Sequence, residues 1–220
     1  MVVIGAVKAL ISKDITLEWR QKSAMGALLL YLVSTVFVCY LAFAGVISVQ
    51  TWNALFWIVM VFASLNAVLK GSIQESEARM VYYYTLASPQ AVITARIIYN
   101  AMLMWVLSLL GWTVFVTFLG NPVQNPVLFL FNMLLGVAGL SSVMSMVSAI
   151  AAKARNNFTL MGVLSFPLVL PLILVLIRVS GAAMAGESFS GQLSNLLVLT
   201  LLTAISLVLA NLLFPYIWRD

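Results

Sequence analysis

The sequence predicts an all-α membrane protein with six transmembrane helices, and three observations support this fold class. Of the 220 residues, 64% are hydrophobic and only 8% are charged, whereas about a quarter of a soluble domain is charged. The apolar residues form six runs, each near the ~20 residues that a helix needs to cross a bilayer. The runs are continuous rather than alternating, which excludes an outer-membrane β-barrel.

An amphipathic helix is predicted ahead of these runs, over residues 1–23. Apolar residues such as Val3, Val7 and Leu10 recur there at helical spacing among charged side chains. Such a helix lies in the membrane surface, where Trp19 anchors it, and a plain flanking segment is the alternative. The predicted domains are therefore this interfacial helix and a six-helix transmembrane domain over residues 24–220.

The apolar runs leave one long connection, an inner loop over residues 70–96. The six runs cover residues 24–48, 52–69, 97–119, 127–152, 158–178 and 194–217. If the amino terminus is cytoplasmic, 10 of the 11 lysine and arginine residues face the cytoplasm, and only Arg178 faces outward. The positive-inside rule thus predicts that both termini are cytoplasmic.

Several kinds of chemistry are excluded or disfavoured by residues that the sequence lacks. It contains no histidine, which excludes histidine-based zinc or haem ligation. The single cysteine, Cys39, can form no internal disulfide bond. There is no G-x-x-x-x-G-K-[ST] motif to hold ATP phosphates. The predicted spans carry no acidic residue of the kind that ion-coupled carriers use, which disfavours a self-powered carrier.

The inner loop is the candidate functional segment. Residues 72–86 fit a short surface helix, which the Ser88-Pro89 pair ends. An exposed helix of this kind can dock a cytosolic partner, and a solvated interfacial loop with a tyrosine belt is the alternative. The residues predicted to make the contact are Glu75, Glu77, Arg79 and Tyr82.

The fourth span carries a stripe of small residues on one helical face, at Ser141, Ser145 and Ser148. Small residues let helices approach closely, and their hydroxyl groups can bond across the contact. Packing within one subunit, a subunit interface and a transport path all fit this pattern.

Residues that interrupt the apolar spans predict local structure there. Pro167 and Pro171 lie four residues apart in the fifth span, and each removes a helix hydrogen bond, which predicts a kink or a broken turn. Four asparagines lie near membrane depth, and each is expected to bond a neighbouring helix rather than a ligand. They are Asn66, Asn100, Asn132 and Asn211.

Four stretches, taken in order and spacing, carry a family resemblance over most of the chain. They are Leu86-Ala87-Ser88-Pro89-Gln90-Ala91-Val92-Ile93 leading to Arg96, Leu134-Leu135-Gly136 through Leu140, Lys153 with Arg155, and Ser165-Phe166-Pro167-Leu168-Val169-Leu170-Pro171-Leu172. With the amphipathic helix, six spans and a docking loop, the chain resembles an ABC-2 permease of the type V exporter-like fold. It resembles more closely the CcmB family, haem exporter protein B of cytochrome c maturation.

The resemblance implies a permease subunit that is not itself an enzyme and binds no cofactor of its own. ATP would be hydrolysed by a separate CcmA-like ATPase subunit, and two copies of this chain would match two ATPases. CcmC-, CcmD- and CcmE-like proteins would be further partners, with haem as a possible cargo. The complex would sit in the bacterial inner membrane and act in haem delivery, by releasing the haem-loaded chaperone CcmE.

Two other functions stay open at this point. One is an ABC-2 permease that exports a lipid, a polysaccharide or a drug, and the other is a membrane scaffold without transport. An ATPase found with cytochrome-maturation proteins favours haem delivery, and an ATPase without them favours another cargo. The absence of any ATPase partner favours the scaffold.

Overall fold

Seven α-helices and one short 3-10 turn make up the described part of the computed structural model, which covers residues 2–20, 22–43, 46–73, 88–153 and 158–219. No strand occurs within these ranges. The 3-10 turn, Ser190–Gln192, directly precedes the last helix. The helices are α1 (Val2–Arg20), α2 (Lys22–Ala42), α3 (Val49–Ile73), α4 (Pro89–Leu119), α5 (Pro126–Lys153), α6 (Phe158–Met184) and α7 (Leu193–Arg219).

Five of the described helices, α3 to α7, are long and apolar enough to cross a membrane. The apolar part of α2 is the shorter segment Gly26–Ala42. At 1.5 Å per residue this segment spans about 26 Å, slightly less than the ~30 Å of a hydrocarbon core. An all-α membrane protein is therefore confirmed, while the sixth crossing and the side of the termini stay predictions.

Polar caps mark where three of the helices begin. Ser48, Ser88 and Asn125 each accept a hydrogen bond from the backbone N–H three residues later, at 3.2, 3.3 and 3.2 Å. Pro89 and Pro126 are the first residues of α4 and α5, a position where the missing N–H of proline costs nothing. The caps therefore determine how far α3, α4 and α5 extend toward their amino ends.

Two boundaries differ from the sequence prediction because of these caps. The first span was expected to reach residue 48, yet α2 ends at Ala42 and Ser48 already caps α3. The third span was expected to begin at residue 97, yet α4 begins at Pro89. The inner loop is correspondingly shorter than residues 70–96, because α3 continues to Ile73 and α4 starts eight residues before 97.

The end of the fifth predicted span is also wrong, because α6 continues past Arg178 to Met184. The Arg178 side chain is exposed, whereas Val179 and Ser180 after it are fully buried. The exposed charge of Arg178 does not end α6, because the opposite face of the helix is packed against the bundle. The helix ends before Gly186, whose φ of +76° suits a residue without a β-carbon.

The centre of the bundle is α5, which packs against α3, α4, α6 and α7. Beside it lies an aromatic cluster contributed by α3, α4 and α5, whose members are at most 1% exposed. The aromatic cluster consists of Trp52, Phe56, Trp57, Phe115 and Phe129. In contrast, α2 packs mainly against the flank formed by α3, α4 and α1.

Candidate functional site

The predicted coupling residues Glu75, Glu77, Arg79 and Tyr82 lie outside the described residues. They belong to residues 74–87, between the end of α3 at Ile73 and the cap of α4 at Ser88. The structure therefore leaves their role as a prediction. It does describe the helix into which this segment leads, and the first half of α4 carries an unusual set of contacts.

Three side chains near the start of α4 form hydrogen bonds to three different helices. The Thr94 hydroxyl donates to Asn211 Oδ1 of α7 at 3.0 Å. The Tyr99 hydroxyl donates to Glu18 Oε2 of α1 at 3.1 Å, and Asn100 Nδ2 donates to Ser145 Oγ of α5 at 2.8 Å. These three bonds, called the α4 junction below, connect α1, α5 and α7 through one helical segment.

The amphipathic helix α1 is part of this junction rather than an isolated surface element. It packs mainly along α4, although α2 is its neighbour in the chain. The residues that α1 half-buries, including Val7, Leu10 and Leu17, follow the predicted apolar spacing. Its predicted position in the membrane surface stays a prediction, but the contact with α4 was not foreseen. No pattern within residues 1–23 indicates which helix Glu18 will meet.

The serine stripe of α5 faces the interior of the bundle. Ser141 and Ser145 are fully buried, and Ser148 is 1% exposed. Ser145 accepts the bond from Asn100 within the α4 junction, while the Ser141 hydroxyl donates to Ala138 O of its own helix at 3.0 Å. The stripe thus contacts other helices of the same chain, and a role in a subunit interface or transport path stays a prediction.

Three of the four asparagines bond a neighbouring helix, as expected. Asn100 and Asn211 belong to the α4 junction, and Asn132 Nδ2 donates to Leu176 O of α6 at 3.0 Å. The expectation is wrong for Asn66, whose Nδ2 donates to Phe62 O of its own helix at 2.9 Å. Asn66 is only half-buried and so can satisfy its amide without another helix.

A second polar network lies at the opposite end of the bundle and was not foreseen from the sequence. The Trp57 indole donates to Ser180 Oγ at 2.9 Å, and the Ser180 hydroxyl lies 2.6 Å from Asn53 Oδ1. Asn53 Nδ2 in turn donates to Ile177 O at 2.8 Å. The network joins α3 to α6, and Ser180 escaped notice because residues 179–193 were expected to form a loop.

The Ser180→Ala variant is expected to lose about 1–3 kcal/mol of its free energy of unfolding, because two buried polar groups lose their partner. These groups are the Trp57 indole N–H and Asn53 Oδ1. Reversible unfolding in mixed detergent, followed by tryptophan fluorescence, measures the change. Ser206→Ala is the matched control, because the Ser206 hydroxyl donates only to Leu202 O of its own helix. Equal losses in the two variants would contradict the network.

The two prolines of α6 lie inside a helix that continues on both sides of them. A broken turn is therefore absent at this point of the described chain, and the predicted kink stays a prediction. Both prolines are on the exposed side of α6, away from α5. The buried side of the same helix carries Val169, Leu172 and Leu176.

The fold and these networks define a multi-pass, all-helical membrane protein whose buried polar groups join its helices to one another. A family model described as CcmB protein matches residues 5–216, and the chain belongs to this family. Its members are permease subunits of ABC-type haem exporters in cytochrome c maturation, and they associate with an ABC ATPase and other Ccm proteins. Neither a curated protein nor a solved structure matches the chain.

Proposed function

We propose that this chain is the membrane permease subunit of an ATP-driven complex that releases the haem-loaded chaperone CcmE. The observation that carries the proposal is the family match over residues 5–216. Family membership favours this function over the export of a lipid, polysaccharide or drug and over a scaffold role. The permease itself is not an enzyme, and a separate CcmA-like subunit hydrolyses the ATP.

The complex contains two copies of the chain, two ATPase subunits, and CcmC- and CcmD-like membrane proteins. The chain holds no cofactor of its own, and haem is a possible cargo of the complex. The distribution of lysine and arginine supports an orientation with both termini in the cytoplasm. The bacterial inner membrane is proposed as the location because the chain belongs to the CcmB family.

The proposed mechanism begins at the segment between α3 and α4. Closure of the ATPase subunits displaces residues 74–87, and the displacement reaches α4 at Ser88. The α4 junction ties this part of α4 to α1, α5 and α7. A movement of α4 therefore carries three other helices with it, which favours a rigid-body transition over a local loop motion.

Charge reversal at both acidic positions, Glu75→Lys with Glu77→Lys, tests the docking segment. We expect the purified complex to keep hydrolysing ATP, while release of haem-loaded CcmE per ATP falls about tenfold, because like charges placed across a docking surface repel. ATP hydrolysis and CcmE release, measured on the same complex in nanodiscs, give the amount of CcmE released per ATP hydrolysed.

Glu187→Lys is the control, because Glu187 is an exposed acid beyond the far end of α6. It should leave the ratio of CcmE release to ATP hydrolysis unchanged. An unchanged ratio in the double variant would refute the role of the segment. Failure of any ATPase to copurify with the wild-type chain would refute the proposed function itself.

A further inference from the structure

One face of α6 is turned away from the bundle over most of its length. Residues at positions 163, 167, 170, 171, 174 and 178 lie on one side of the helix and are all exposed. Val163 is 66% exposed, Leu170 42% and Leu174 60%. This set, called the proline face below, is Val163, Pro167, Leu170, Pro171, Leu174 and Arg178, and it covers about 22 Å of helix.

The two prolines remove two backbone donors from this face. Pro167 and Pro171 have no N–H, so the carbonyls of Val163 and Pro167 lack the donor that an α-helix normally supplies. The side chains of the proline face between positions 163 and 174 are all apolar and offer no replacement. A carbonyl without a partner is costly in hydrocarbon, where water cannot reach it.

The same face carries a positive charge, that of Arg178. Within the described ranges Arg178 has no hydrogen-bond or ion-pair partner. It lies six residues before the end of α6, about 9 Å inside it. The described acids are Asp14 and Glu18 on α1 and Glu187, which accepts a hydrogen bond from Gln192 Nε2 at 2.6 Å. Among the described residues, no ion pair joins any of these acids to Arg178.

From these groups we infer that the proline face is the docking surface for a transmembrane helix of a different protein. The occupant must carry a carboxylate at the depth of Arg178, together with hydroxyl or amide donors for the two carbonyls. Charge complementarity argues against a second copy of this chain. A two-fold axis along the membrane normal would bring two Arg178 side chains to the same depth, and the facing proline face would supply no donor for the carbonyls.

Another transmembrane surface of a second copy does not meet these requirements either. The exposed side of α2 offers hydroxyl groups such as that of Ser34, but none of the described helices α2 to α7 contains an acidic residue. The inference rests on one premise of the proposed function, namely that the chain has partner proteins in the membrane. It needs neither the coupling segment nor the identity of the cargo.

Photo-crosslinking in native membranes tests the surface, with p-benzoylphenylalanine in place of Leu174. We expect one membrane protein to be crosslinked, with an Asp or Glu in the transmembrane segment that is captured. Adding Arg178→Gln should lower the yield about tenfold, because a charge-assisted contact is lost. Arg178→Lys should retain it, and Arg178→Glu should be rescued by a basic residue at the partner's acid.

Leu201 is the matched control position, because it is 53% exposed on α7 at a comparable depth. The same photoreactive residue there should give no discrete protein product. A Leu174 product with a second copy of this chain would overturn the inference, and so would a product with lipid alone or with a partner segment that lacks an acid. These outcomes are distinct from failure of the proposed function, which would appear as absence of the ATPase from the purified complex.

Discussion

The Phe56→Ala variant is expected to lose about 3–5 kcal/mol of its free energy of unfolding, the largest effect of any single truncation proposed for this chain. Phe56 is fully buried in the aromatic cluster. Its ring lies 5.4–5.5 Å, centroid to centroid, from four other aromatic rings, those of Trp52, Trp57, Phe115 and Phe129. Truncation leaves a cavity between α3, α4 and α5, because these three packed helices cannot all shift to fill the space of the missing ring.

Phe62→Ala on the same helix is the control for this prediction. Phe62 is 53% exposed on the outer surface of the bundle, so lipid can fill the space that its ring leaves. We expect the control to change the free energy of unfolding by less than about 1 kcal/mol, the usual range for an exposed site. Denaturation in mixed micelles, followed by tryptophan fluorescence and circular dichroism, compares the two. Similar losses would show that the aromatic cluster is not the stabilising core.

The second large effect is expected for Ser145→Leu, with a loss of about 2–4 kcal/mol in the free energy of unfolding. Ser145 is fully buried between α5 and α4, so the larger side chain overpacks a closed contact. The change also removes the acceptor of the 2.8 Å bond from Asn100 Nδ2. That amide is 6% exposed, and a buried donor without a partner adds its own cost.

The control for Ser145→Leu is Thr113→Leu on α4. Thr113 is exposed, and its hydroxyl donates only to Leu110 O of its own helix. It should tolerate leucine with little change in stability, whereas Ser145→Ala should fall between the two variants because it removes the bond without overpacking. A Ser145→Leu variant as stable as Thr113→Leu would mean that α4 and α5 are not in close contact at this level.

Hydropathy alone located the helices α3 to α7 to within a few residues at most of their ends, because the bilayer selects apolar segments whatever their neighbours are. The larger errors arose where a helix cap or the burial of side chains, rather than hydropathy, determined where a helix begins or ends. The cap at Ser88 extended α4 toward its amino end by eight residues relative to the prediction. The fifth span was predicted to end at residue 178, whereas the helix continues to Met184 with Val179 and Ser180 fully buried against the bundle.

The polar contacts between helices were predictable in kind but not in pairing. An amide at membrane depth needs a partner, and this reasoning identified Asn100, Asn132 and Asn211 correctly. It could not state that Asn100 meets Ser145, because pairing depends on how each helix is rotated about its axis. Nor could it find the contact between Glu18 and Tyr99, since α1 and α4 are separated by two complete helices in the sequence.

The serine stripe of α5 has a consequence for how the protein is made. Membrane helices emerge from the ribosome in order, so α5 is synthesised before α6 and α7, which later cover it. The hydroxyls of Ser141 and Ser142 donate to carbonyls three residues earlier in α5, at 3.0 and 2.8 Å, and thus need no later helix. Ser145 takes its partner from α4, which is already complete. The hydroxyls of Ser141, Ser142 and Ser145 can therefore be bonded before α6 and α7 exist, whereas Asn132 of the same helix gains its partner, Leu176 O, only when α6 is made.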